Sequence, residues 1–114
     1  MNAMNTPTVD DAFLEEVVRR ILTVGRPLKV VLFGSHARGE GRPDSDLDLL
    51  IVEEATHLQP HKRATRYRMA LTGIHHRKDI VVYTPAEIQD WAQVALAFVS
   101  TVLREGRVLY ERPG

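Results

Sequence analysis

A layered α/β (α+β) fold, with a small mixed β-sheet packed with about four helices, is what this sequence predicts. Three observations lead there. Apolar residues recur at helical spacing near the N-terminus, and short apolar runs of strand length follow at 28–33, 47–52, 79–83 and 107–110. A strongly signalled helix start lies at Thr84-Pro85-Ala86-Glu87. Helical and extended stretches therefore alternate, which places helices over a sheet.

Taken in order, residues 1–7 are expected to be disordered, and Thr8 is expected to cap the first helix with Asp11 as its capping-box partner. Phe13, Leu14, Val17, Val18, Ile21 and Leu22 make the apolar stripe of that helix, and Gly25 stops it. Leu28 to Phe33, interrupted only by Lys29, predicts a buried strand ended by Gly34-Ser35. The stretch from His36 to Ser45 carries Gly39, Gly41 and Pro43, so it holds at most one helical turn and then a loop. Leu47 to Val52 predicts a second strand. From about His61 to His75 the sequence reads as a helix whose outer face carries Lys62, Arg63, Arg66 and Arg68. Asp79 to Tyr83 is a third strand. The capped helix then runs to Gly106 with Ile88, Trp91, Ala95, Leu96, Val99 and Leu103 inward, and Arg107 to Tyr110 is a short last strand.

The 114 residues suit one domain over 1–114. Fifteen basic residues balance fifteen acidic ones, so net charge gives no reason to expect direct nucleic-acid or membrane binding. Cysteine is absent, which removes disulfides, thiolate zinc sites and a cysteine nucleophile. The polar N-terminus lacks a signal-peptide core, no apolar run approaches the ~20 residues of a membrane span, and a cytoplasmic location is expected.

The chemistry is concentrated in Phe33-Gly34-Ser35-His36-Ala37-Arg38-Gly39 and Ser45-Asp46-Leu47-Asp48-Leu49. Asp46 and Asp48 stand at i and i+2 of a strand, so their carboxylates share one face, about 7 Å apart at the backbone. Like charges so placed repel unless a cation lies between them, and Mg²⁺ prefers such oxygen donors while keeping positions open for phosphates. Asp79 opens a later apolar strand and completes a trio if that strand lies beside the second. Three acids can hold two ions ~3.5–4 Å apart, as two-metal phosphoryl transfer requires. Gly34 lets backbone approach a phosphate, and Ser35 can start a short turn whose free amides face it. Arg38 can lie over the same phosphates or pair with an acid. A lysine-bearing phosphate loop is missing, and Asp44 stands where the dinucleotide fingerprint after Gly39 and Gly41 wants glycine. The five histidines read as exposed or bystander residues, with His36 the one nearest the site.

These two segments resemble the signature of the polymerase-β-like nucleotidyltransferase superfamily. The chain length, the third acid at Asp79 and the ending Arg104 to Glu111 resemble its minimal nucleotidyltransferase (MNT) group, over nearly the whole span from Leu28 to Tyr110. The resemblance implies the nucleotidyltransferase fold, with Mg²⁺ (two ions) and ATP bound. It assigns nucleotide binding to Gly34, Ser35, Arg38 and Ser45, and metal binding and catalysis to Asp46, Asp48 and Asp79. It makes Asp79 the residue that assists deprotonation of the acceptor. It further implies an antitoxin that places AMP on a tyrosine of a partner HEPN-domain ribonuclease toxin, alone or in a homo- or hetero-oligomer. Neutralisation by binding alone, and transfer to a small molecule, stay open as alternatives.

Overall fold

The computed structural model describes residues 8–54, 58–91, 98 and 101–113. Residues 1–7, expected to be disordered, lie outside the described residues, as do Ala95, Leu96, Val99 and the side chain of Trp91. The elements are α1 (Asp11–Val24), β1 (Lys29–Phe33), β2 (Leu47–Val52), α2 (Pro60–Arg63), α3 (Thr65–Ala70), β3 (Lys78–Tyr83), α4 (Pro85–Trp91), α5 (Thr101–Glu105) and β4 (Arg107–Glu111). All four expected strands form, within one residue at each end. They make one sheet in the order β3-β2-β1-β4. β1 pairs antiparallel with both β2 and β4, whereas β2 and β3 run parallel, so the sheet is mixed as expected.

The sheet separates two apolar layers, because alternate side chains of a strand leave on opposite faces. Leu47, Leu49 and Ile51 of β2, with Ile80 and Val82 of β3, pack on one side against Leu14, Val17 and Ile21 of α1 and Tyr67 of α3. Leu50 and Val52 face the other way, toward Val31, Val102 and Ile88. The strand β2 is thus buried on both faces except near its N-terminal end.

Several local expectations are corrected. The cap of α1 is Asp10 rather than Thr8, with the Asp10 side chain accepting from the Phe13 amide at 2.8 Å. An aspartate one residue before the first helical position takes the role because its oxygen reaches the third amide directly. Leu22 of the expected stripe is exposed, since it lies beside the buried row Leu14-Val17-Ile21 and not on it. The helix expected from His61 to His75 is two short helices that end at Ala70, followed by turns through Gly73 at φ 96°. Its supposedly solvated basic face is partly internal. Arg63 is buried, donating to Glu87 at 2.6 Å, and Arg66 pairs with the buried Glu53, which also accepts from the Tyr67 hydroxyl. Leu103, expected inward, is 40% exposed on α5.

The start of α4 is as expected. The Thr84 amide donates to Glu87 Oε1 at 2.9 Å and the Glu87 amide donates to Thr84 Oγ1 at 3.2 Å, a reciprocal capping box.

Candidate active site

The short apolar run of β1 ends at Phe33 because Gly34 takes φ 77°, a left-handed conformation that favours glycine. The chain then coils into one tight turn. The amides of Ala37 and Arg38 both donate back to the Gly34 carbonyl, at 3.1 and 3.3 Å, and the Glu40 amide donates to the Ser35 carbonyl at 2.9 Å. In such a turn the preceding amides, of Ser35 and His36, are the ones with no carbonyl behind them to bond. They are the donors an anion would meet.

The turn sits directly on the acidic strand. Phe33 is the register partner of Asp48, so Gly34 passes over the Asp48 carboxylate. A Cβ at Gly34 would fall well inside contact with Asp48 Oδ2. The backbone angle favours glycine, and any Cβ there would displace the Asp48 carboxylate.

All three predicted acids lie on one face. Asp48 shares the face of Leu50 and Val52, and Asp46, two residues earlier, precedes it on the same side. Asp79 is the direct parallel partner of Asp48, and it too faces away from Ile80 and Val82, which fill the α1 layer. Neighbouring strands lie about 4.8 Å apart, so these carboxyls leave adjacent backbones in the same direction. Asp48 is half-buried, while Asp79 is exposed and the Asp46 side chain is 46% exposed.

The electrostatics follow. Burial pushes the Asp48 carboxyl up to about 6, and the Asp79 and Asp46 charges push the same way, against His36 and Arg38. Negative potential is thus concentrated at the end of β2. Among the described residues no three of these groups stand close enough together to chelate an ion as they are. The donor set nonetheless fits a hard divalent cation: carboxylate oxygens only, one half-buried at Asp48 and two more exposed at Asp46 and Asp79.

The remaining predicted residues divide. Ser35 is part of the turn. Arg38 is half exposed, pairs with the acid Glu40 at 3.0 Å and lines a cavity of about 170 Å³ next to Gly34. That cavity is walled by Phe33, Phe98, Thr101, Val102, Glu105 and Gly106, and the rings of Phe33 and Phe98 meet edge to face at 5.8 Å. The Ser45 hydroxyl accepts from the Arg42 amide at 2.8 Å, which closes the loop before Asp46.

Two histidines stand closer to the chemistry than their sequence positions suggest. The sequence predicts a bystander at His36 and a surface residue at His76. Instead His76 is buried, its ring tilted against Phe13 at 5.3 Å and edge-on to His36 at 5.9 Å. Both rings reach the Ser45 carbonyl. Next to His76, Arg77 accepts from the Leu47 amide through its carbonyl at 2.7 Å and places Nε 3.8 Å from Asp46. The one sequence signal for this is the position of His36 inside the anion turn.

Comparison with known proteins agrees with this geometry. A family model described as "Nucleotidyltransferase domain" matches residues 11–111. A proposed protein adenylyltransferase of Methanocaldococcus jannaschii is 32% identical over 88 residues, covering 75% of this chain and 81% of that protein. Among solved structures, a proposed nucleotidyltransferase from Sulfolobus solfataricus superposes with TM-score 0.59 at 22% identity, covering 87% of this chain and 78% of its own. The crystal structure of a toxin–antitoxin with AMP-PNP does so with TM-score 0.64 at 17% identity, covering 87% and 73%. Those two likenesses concern the fold. With the family model spanning α1 to β4, the chain belongs to the nucleotidyltransferase domain family.

Proposed function

We propose that this protein uses Mg-ATP to transfer AMP to a tyrosine hydroxyl of a partner toxin of the HEPN class, and so acts as an antitoxin. The observation that carries the reading is the seating of the Gly34 turn on Asp48, with Asp79 opposite. In this reading the amides of Ser35 and His36 would meet a polyphosphate, and the neighbouring carboxylates would hold the cation. Support for a protein acceptor comes from the M. jannaschii relative, named for protein adenylylation. Support for an antitoxin role and for ATP comes from the toxin–antitoxin structure, which holds an ATP analogue.

Asp46, Asp48 and Asp79 would hold Mg²⁺, which when bound neutralises polyphosphate charge and makes an acceptor hydroxyl more acidic. The residues of the chain do the rest. The amides of Ser35 and His36 orient the phosphates, and Arg38 lies at the edge of that site. The acceptor oxygen attacks the α-phosphorus, the bond from that phosphorus to the bridging oxygen breaks, and pyrophosphate departs. The hydroxyl proton goes to the Asp79 carboxylate, the most exposed of the three. Product is the tyrosyl–AMP phosphodiester.

The test is incubation of the protein with α-labelled ATP, Mg²⁺ and its cognate HEPN-class toxin. Label on a toxin tyrosine is expected, and Asp46→Ala with Asp48→Ala should remove it. Full labelling by that double variant would refute the assignment. Neutralisation by binding alone predicts instead that the double variant still protects cells from the toxin.

A further inference from the structure

Asp46 stands at the mouth of β2, where a strand end is normally free to fray, and its carboxylate is half exposed. Something must hold it at a fixed distance from the anion turn if a cation and a phosphate are to be bound together. The backbone around it shows what does. Ser45, the preceding residue, offers its carbonyl to two imidazoles: His36 Nε2 donates at 3.3 Å and His76 Nδ1 at 3.4 Å. A carbonyl oxygen accepts two such bonds through its two lone pairs. His76 comes from the loop before β3 and is fixed by burial against Phe13. His36 comes from the anion turn itself, between Ser35 and Ala37.

We propose that His36 is a positioning residue that ties the phosphate-binding turn to the Asp46–Asp48 strand through the Ser45 carbonyl. This rests on the nucleotidyltransferase reading of the site. One imidazole then belongs to the anion site by sequence and to the cation site by its hydrogen bond. Gly41 lies against another edge of the same ring. A Cβ at Gly41 would collide with Nδ1, Cε1 and Cγ of His36. Gly41 has no left-handed backbone angle, so what an alanine there meets is the His36 ring alone, which has to shift to admit it.

Two consequences separate this role from a merely structural one. His36→Phe keeps an aromatic ring at this position, six-membered and larger than imidazole, but removes the donor, whereas His36→Gln restores a donor of similar reach. Gly41→Ala keeps His36 but pushes its ring off Ser45, so its effect should vanish once His36 can no longer donate. Displacements of about 1 Å at a reacting centre cost on the order of 100-fold in rate.

The experiment uses the full chain and two readouts. One is kcat and KM for ATP in AMP transfer. The other is the Mn²⁺ concentration at which a non-hydrolysable ATP analogue raises the melting temperature. His36→Phe should lower kcat roughly 10- to 100-fold, with KM changed far less, and should raise the Mn²⁺ midpoint several-fold. His36→Gln should recover most of both. Gly41→Ala should resemble His36→Phe, and the double variant should be no worse than either single one. Wild-type kcat and midpoint in His36→Phe, or losses that multiply in the double variant, would overturn the proposal. If His36→Phe does not fold, the Gln and Gly41→Ala arms decide by the same criteria. A wild-type chain with no Mn²⁺-dependent shift, or an unchanged shift in Asp48→Asn, would sink the nucleotidyltransferase site itself. Asp48→Asn losing the shift while His36→Phe keeps it would sink only the tether.

Discussion

Asp48 and Asp79 are direct register partners on adjacent parallel strands, both turned away from the α1 layer, with one half-buried and the other exposed. Two carboxylates opposed in this way destabilise a fold that has no cation between them. A cation bound between them would therefore raise the stability of the fold.

Asp48→Asn should raise the melting temperature by a few degrees in EDTA at pH 7.5, and should abolish stabilisation by divalent cations. The folded carboxyl titrates near 6, above its ordinary value, so the folded chain holds the extra proton and ionisation is what costs stability. The penalty is full above about pH 6 and fades as pH falls toward the ordinary value of 3.8. Melting curves from pH 7.5 to 4.5 check this: the gap between variant and wild type should close as the buffer is acidified.

Gly34→Ala should leave a folded chain with little activity. The left-handed angle costs a residue with a Cβ about 1 kcal/mol, which most domains survive. The collision with Asp48 is more damaging, because it moves a carboxylate that the proposed function makes a cation ligand. AMP transfer should fall at least ~100-fold while the circular dichroism spectrum is retained.

Glu87 ties α2 to the start of α4, accepting from Arg63 of α2 and from the Thr84 amide. Glu87→Ala should cost about 2 kcal/mol in urea unfolding at pH 7, through loss of the cap and of the charged bond to the buried Arg63. The Arg63 bond holds the Glu87 carboxyl below its usual range. Its contribution is therefore present above the ordinary carboxylate pKa and lost as pH falls through the depressed one, so the deficit of the variant should shrink in acid.

Tyr67→Phe tests the core polar contact. The Tyr67 ring is fully buried and its hydroxyl donates to Glu53, itself buried and otherwise paired with Arg66. Removing the hydroxyl should cost roughly 1–3 kcal/mol and leave transfer activity intact, since the pair lies on the opposite side of β2 from Asp48. Chemical denaturation with a parallel activity assay reads both.

Much of the site is legible in the amino-acid sequence. The alternation along Leu47–Val52 puts Asp46 and Asp48 on one face, and Asp79 at the head of an apolar strand marks a third acid. Thr84-Pro85-Ala86-Glu87 announces its helix and forms the expected box. The histidines and the basic helix depart from expectation for one reason. A residue type says how costly burial is, not whether a partner from elsewhere removes the cost.

By itself, then, the sequence determined what depends on near neighbours: which stretches extend or coil, which side chains share a face, and where glycine frees the backbone. These follow from strand and helix periods and from steric limits within a few residues. Only the tertiary structure decided the parallel pairing that sets Asp79 against Asp48, the burial of Arg63 onto Glu87, and the meeting of His36 and His76 at Ser45. Each of those joins residues far apart in the chain or in separate loops. Their contact is fixed by how the layers dock over the sheet, and no local spacing encodes it.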